Sequence, residues 1–258
     1  MLKKGFTLAE VLVTLTIVGV VAALASPVLV GAFQKSKVGP SLRKFMNTIE
    51  TANQHILGDY EAAQIDNVVS SGSEYFTLLS KYVSGSPAMI TKDVEKTDED
   101  GAETVVKETT IKTIKDISIP ISSISTVVTP AVVTNYPDEN SIIYTMAGGE
   151  EFALNYAESA SENVANGGYK GEIAKIYFDI NGFEVGPNKV AKDIFWFVLD
   201  NNGSLIPYGG RAYANAYGNE VLWKESITGC KEDLVAGFGA KCCSGSIADN
   251  NWKVIYKY

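Results

Sequence analysis

One carboxylate, Glu10, sits in an otherwise apolar stretch, three residues after Thr7. An ionisable group there is costly in hydrocarbon and is functional by default. Two chemistries fit it. Thr7-Leu8-Ala9-Glu10 matches a capping box, in which the carboxylate reaches back to the Thr7 backbone N–H, and an acid suits the first turn of a helix. Alternatively, the carboxylate pairs with a cation on another chain. An unpaired acid is unfavourable in an apolar bundle, so one correct neighbour would satisfy it and set axial register, as a lone polar residue does in a coiled coil. The two roles are compatible. At the far end stand three cysteines, Cys230, Cys242 and Cys243. Outside the cytoplasm they predict one disulfide and one leftover thiol. A vicinal Cys242–Cys243 bond is the least favoured pairing, which leaves Cys230 with either Cys242 or Cys243. Three thiolates and a distant His55 make a poor zinc set. Asp179, Asn181, Asn188, Asp193 and Asp200 lie near turns, but their spacing does not match an EF-hand loop, and turn formation explains them. No metal and no cofactor is expected.

The segment that must carry Glu10 is hydrophobic. From Val11 to Gln34 there are 24 residues without charge, enough for a helix to cross a bilayer core of about 30 Å. Lys3 and Lys4 place the N-terminus on the cytoplasmic side and the remaining chain outside. A secretory signal peptide, cut near Ala23, Ala25 and Ser26, and an uncleaved signal anchor are the competing readings. Against both stand the apolar run that begins immediately after Gly5 and the acid inside it.

Lys4-Gly5-Phe6-Thr7-Leu8-Ala9-Glu10-Val11-Leu12 resembles the cleavage and methylation motif of type IV prepilins and type II secretion pseudopilins. The resemblance covers about residues 3–35. It implies cleavage by a prepilin peptidase between Gly5 and Phe6, N-methylation of Phe6, and pairing of Glu10 with the Phe6 ammonium of a neighbouring subunit during filament assembly. Glycine at position 5 lets an extended backbone enter a peptidase cleft. Gly19 and Pro27 fall where such stalks commonly carry a glycine and a proline, and each weakens a helix. They are expected weak points at which the helix bends or unwinds on leaving the bilayer.

Beyond the membrane, Leu42, Phe45, Met46, Ile49, Ala52, Ile56, Leu57 and Tyr60 recur at amphipathic spacing. Gly39-Pro40 marks a kink or a fresh start. A continuous helix from Phe6 to Leu57 would run about 78 Å. Residues 61–258 form an extracytoplasmic head. Tyr75–Tyr82 suggests a short helix, and residues 92–103 an exposed charged loop. Residues 104–121 read as one or two strands, and Ser122–Pro137 as a loop with strand pieces. Glu172–Ile180, Asp193–Leu199, Ser204–Ile206 and Asn251–Tyr258 read as strands, with turns at Asn181-Gly182, Gly186-Pro187-Asn188 and Asn201-Asn202-Gly203. Tyr208-Gly209-Gly210 reads as a loop. The expected organisation is a leader (1–5), a transmembrane and stalk helix (6–60) and a head. The class is α+β, pilin-like, a long N-terminal helix packed on an antiparallel sheet.

Net charge is −8, and −10 once Lys3 and Lys4 leave with the leader. An acidic head disfavours nucleic-acid binding. No nucleophile elbow, P-loop, dinucleotide fingerprint or zinc-protease motif is present, so no catalytic residue is expected. The expected function is a pilin or pseudopilin subunit, single-pass in the membrane and then periplasmic or surface-exposed. Its partners would be the prepilin peptidase, other subunits, the inner-membrane assembly platform and membrane lipid. The alternatives are a minor pilin whose head is an adhesin or DNA-uptake tip, the aromatic stretch Tyr208–Trp223 being its feature, and a signal-anchored hydrolase.

Overall fold

The computed structural model describes residues 7–97, 103–119, 121–123, 138–156, 171–186, 188–218, 224, 230 and 242–256. Gly5 and Phe6 lie outside these residues, as do most of Ser122–Pro137 and Pro187 of the second expected turn.

Helix α1 runs without interruption over Leu8–Asp59, 52 residues. Its helical backbone continues through Gly19, Pro27, Gly39 and Pro40. Two halves differ in what they meet. Val38, Leu42, Phe45, Ile49, Ala52 and Ile56, spaced by four and three, form a single buried face. Tyr60, at the C-cap, stays largely exposed. Before Val38 the large apolar side chains that are described, from Leu8 to Phe33, are exposed.

That buried face packs on one sheet, whose strands are β1 (Gly85–Pro87), β4 (Ser122–Ser123), β5 (Ile142–Met146), β6 (Glu151–Tyr156), β7 (Glu172–Asp179), β8 (Lys189–Val190), β9 (Ile194–Asp200) and β10 (Leu205–Pro207). Their order is β1-β5-β6-β7-β9-β8-β4, and β10 also pairs with β9. The pairings are antiparallel except β4 with β8 and β8 with β9. The molecule is thus α+β, with an N-terminal helix on an antiparallel-rich sheet. Strands β7 and β9 are buried on both faces, which explains their nearly continuous apolar sequences (EIAKIYFD and IFWFVLD). On the helix side, Phe178 and Phe197 meet Phe45. On the other side, Tyr177 and Trp196 join Phe183 and Ile114 in a second cluster.

Helix α2 (Gly72–Leu79) fills the gap between α1 and the sheet. It is capped by Ser71, whose hydroxyl accepts from the Glu74 N–H. Asn53 ties three elements together. Its amide donates to Gly203 O at 2.9 Å and its carbonyl accepts from the Tyr75 hydroxyl at 2.8 Å, so a fully buried polar side chain on α1 has partners on both sides.

Several expectations are corrected. Residues 92–97 are not a loop. They belong to β2 (Met89–Thr97), which pairs over its whole length with β3 (Glu103–Ile111) in a separate two-stranded ribbon. The ribbon is exposed, so it lacks an apolar alternation. Opposite charges face each other instead, Lys92 across from Glu108 and Asp93 across from Lys107. The C-terminal strand is also absent. Residues 250–256 form a turn and an irregular segment, and Asn251 and Trp252 take φ values of 54° and 60°. This segment lies against α1. An ideal Cβ on Gly39 would come within 1.7 Å of the Trp252 carbonyl oxygen, so glycine permits backbone to touch backbone there. Lys35 Nζ donates to the Tyr256 carbonyl at 2.8 Å, and the Tyr256 hydroxyl donates to Ala191 O. Tyr208-Gly209-Gly210 is a turn, in keeping with the loop expected there, and it leads into a short helix that was not expected, Arg211–Tyr217, where Gly210 lets that helix start tight against Gly245 of the helix Cys243–Asp249.

Candidate functional site

The described chain begins at the N-terminus of α1. Thr7 has extended backbone angles and is the N-cap. Its hydroxyl accepts from the Glu10 N–H at 3.2 Å, and Glu10 Oε2 accepts from the Thr7 N–H at 2.8 Å and from the Thr7 hydroxyl at 2.9 Å. Both halves of the capping box are therefore made. Thr14 Oγ1 donates to the Glu10 and Val11 carbonyls, and Thr16 Oγ1 to Leu12 O, so the hydroxyls of this segment turn back onto its own backbone. Glu10 is exposed among the described residues.

Leu8–Ala25 is long and apolar enough to cross a membrane, and none of it is buried by the rest of the molecule. Leu8 is 78% exposed and Leu24 72%. A helix that is apolar on all sides and uncovered requires a non-aqueous surrounding. The core helix of a soluble protein would be covered; this one fits a single-pass membrane anchor.

Gly19 and the Pro27 backbone lie in helix within or just after this stretch. An ideal Cβ on Gly19 meets nothing within 4 Å, so no described residue requires glycine there.

At the other end of the molecule, Cys230 and Cys243 form a disulfide with a Cα–Cα distance of 5.4 Å. Cys242 is buried beside it and takes no part in that bond. His55 is exposed and stacks on Tyr82 with ring centroids 5.6 Å apart. Tyr208, Tyr213 and Tyr217 contact one another in succession with centroids 4.8 and 4.9 Å apart, and Trp196 meets Tyr208 at 5.4 Å. These rings meet at inclined angles of 54–68°. The part of that stretch after Gly218 lies outside the described residues.

The oxygen-bearing side chains near the turns are not equivalent. Asp179, Asn188 and Asp193 are buried, and Asp179 Oδ2, Asn188 Oδ1 and Asp193 Oδ2 have no hydrogen-bond partner among the described residues. Asp179 Oδ1 accepts from the Asn181 and Gly182 N–H groups, which makes the tight turn after β7, with Gly182 at φ 89°. Burial pushes the Asp179 carboxyl up to about 8, with the Asp193 and Glu151 charges adding to it against those two N–H groups. Among the described residues no group of three or more His, Cys, Asp or Glu side chains is arranged to hold a metal.

Residues 1–26 match a family described as the prokaryotic N-terminal methylation motif. This supports the type IV pilin and pseudopilin family for the chain. No curated protein and no solved structure matches it.

Proposed function

From this prepilin-type N-terminus we propose a structural role: the chain is a pilin or pseudopilin subunit that a prepilin peptidase processes between Gly5 and Phe6, and that then assembles into a pilus-like or secretion filament. The observation that supports this most is the placement of Glu10. It is an exposed carboxylate at the start of an uncovered apolar helix, and among the described residues its partners are on Thr7 and its own turn. In a filament the apolar helices would cover one another, and the N-terminal ammonium of Phe6 would meet the Glu10 of a neighbour. The Thr7 contacts hold the acid before assembly and are exchanged afterwards. The head lies outside the cytoplasm in this reading, where the Cys230–Cys243 bond is stable.

Co-expression with a prepilin peptidase tests the first step. The expected result is loss of residues 1–5, read as a mass change and a new, methylated Phe6 terminus. A chain that is not shortened, or is cut near Ala25, overturns the proposal. For the second step, Glu10→Ala is expected to be processed normally and to be absent from sheared filaments. Incorporation at the normal level would refute the pairing.

A further inference from the structure

The charge distribution along α1 is one-sided. Between Val11 and Ile49 the chain has four charged side chains, Lys35, Lys37, Arg43 and Lys44, all basic, although its net charge is −8. Extracytoplasmic flanks of membrane helices are ordinarily poor in Lys and Arg. Here four of them fall within ten positions directly beyond the apolar segment.

Three are described with specific contacts. Lys35 donates to Tyr256 O, Lys44 pairs with Glu150 at 3.1 Å, and Lys37 lies over the Phe33 ring at 4.2 Å. Arg43 has no ion pair among the described residues, nor does Lys253 of the C-terminal segment. Yet the two line the same groove, of about 870 Å³, between α1 and that segment, together with Lys35, Lys44, Pro40 and Trp252. Its floor is largely apolar and its rim basic.

The groove's height fits one kind of occupant. The uncharged run of 24 residues spans about 36 Å as a helix. Centred on a hydrocarbon core of about 30 Å, it leaves Lys35 a few ångströms beyond the edge, in the headgroup layer. Arg43 is about 12 Å higher, and long basic side chains reach back toward the interface. Trp252 has the amphipathic ring favoured at that level.

We propose that this groove binds the headgroup of an anionic phospholipid of the outer leaflet, with Arg43 and Lys253 on the phosphate and the glycerol backbone and upper acyl chain against the apolar floor beside Pro40 and Trp252. The inference rests on the membrane orientation proposed above. It explains why bases accumulate on the flank where they are normally scarce. The lipid holds the head close to the bilayer before assembly.

The test uses the full chain in maltoside micelles, titrated with dioctanoyl phosphatidylglycerol or dioctanoyl phosphatidylcholine and followed by tryptophan fluorescence. A saturable response to the anionic lipid is expected, weaker for the zwitterionic one and abolished in Trp252→Phe. Each basic contact is worth about fivefold in affinity, so Arg43→Glu/Lys253→Glu is expected to weaken binding at least about twentyfold while its melting temperature stays unchanged. Lys107→Glu, on the exposed ribbon, is the control and is expected to bind as wild type. Equal responses to both lipids, wild-type binding by the double variant, or full competition by inorganic phosphate at equal concentration would each overturn the lipid assignment. Prepilin-peptidase cleavage does not involve this groove, so such a failure is separable from a failure of the proposed function.

Discussion

The Phe45 ring lies flat on that of Phe178, with centroids 4.0 Å apart and planes inclined by 11°. Phe152 and Phe197 close around it at 5.4 Å each. This one side chain of α1 therefore touches three neighbouring strands of the sheet. Phe45→Ala is expected to cost about 3–5 kcal/mol and, in denaturant unfolding, to lower the midpoint more than truncation of any exposed apolar residue of Leu8–Ala25. A loss under about 1 kcal/mol would mean that the helix does not anchor here.

Thr7 and Glu10 allow the cap to be separated from the pairing. Thr7→Ala removes the N-cap, at a cost of about 1 kcal/mol to the helix start, and is expected to leave filament incorporation nearly intact. Glu10→Ala is expected to eliminate it. Equal losses for the two variants in sheared-filament assays would reduce Glu10 to a capping residue.

Asp179 makes stability pH-dependent in a defined direction. Its folded-state value of about 8 lies above the usual 3.8, so the folded head holds this proton more tightly than the unfolded chain does. Its contribution is fully present below about pH 4 and is lost as the pH rises through about 8. Asp193 is shifted the same way, chiefly by burial. Asp179→Asn keeps the acceptor for Asn181 and Gly182 and removes the buried charge near Asp193. Its melting temperature is expected to exceed wild type at pH 8 and to converge with it at pH 4. A constant difference across that range would contradict the assignment.

The Cys230–Cys243 bond closes a 13-residue separation. Reduction or Cys230→Ser is expected to cost about 2–4 kcal/mol. Cys242→Ala is expected to keep its sensitivity to reductant, because the bond does not use that thiol. Loss of the reductant effect in Cys242→Ala would reassign the pairing.

In an exposed helix interior, glycine to alanine stabilises by about 1 kcal/mol. At Gly39 the sign is expected to invert. The added Cβ collides with the Trp252 carbonyl, so Gly39→Ala should lower the melting temperature and raise hydrogen exchange across 250–256. An unchanged exchange pattern there would show that the contact is dispensable.

The parts of this molecule legible in the sequence are those governed by short-range periodicity. Leu42, Phe45, Ile49, Ala52 and Ile56 announce the buried face of α1, Thr7 and Glu10 their cap, and the apolar runs of β7 and β9 their place in the sheet centre. What was hidden depends on residues far apart. Strand β2 has no buried face, so its charges read as a loop, whereas its partner β3 was legible as a strand. The hairpin of β5 and β6 was not anticipated at all. Asn201-Asn202-Gly203 was legible as a turn, but not as the partner of Asn53 on α1. Gly39 was legible as a helix breaker, whereas its structural role is to admit Trp252. The choice between Cys242 and Cys243 likewise depends on how the chain returns to Cys230. For the basic groove a local signal did exist, namely the absence of any acid between Val11 and Ile49.

The contact between Lys35 and Tyr256 joins residues 221 positions apart, and Gly39 and Trp252 close beside it. The seam that Lys35 and Gly39 make with the head cannot close until residues 252–256 have been synthesised. A product truncated before residue 252 would keep the apolar helix and lack this seam. Folding in this order favours delivery of the apolar helix to the membrane before the head matures, because the long-range closure is by nature the slow step.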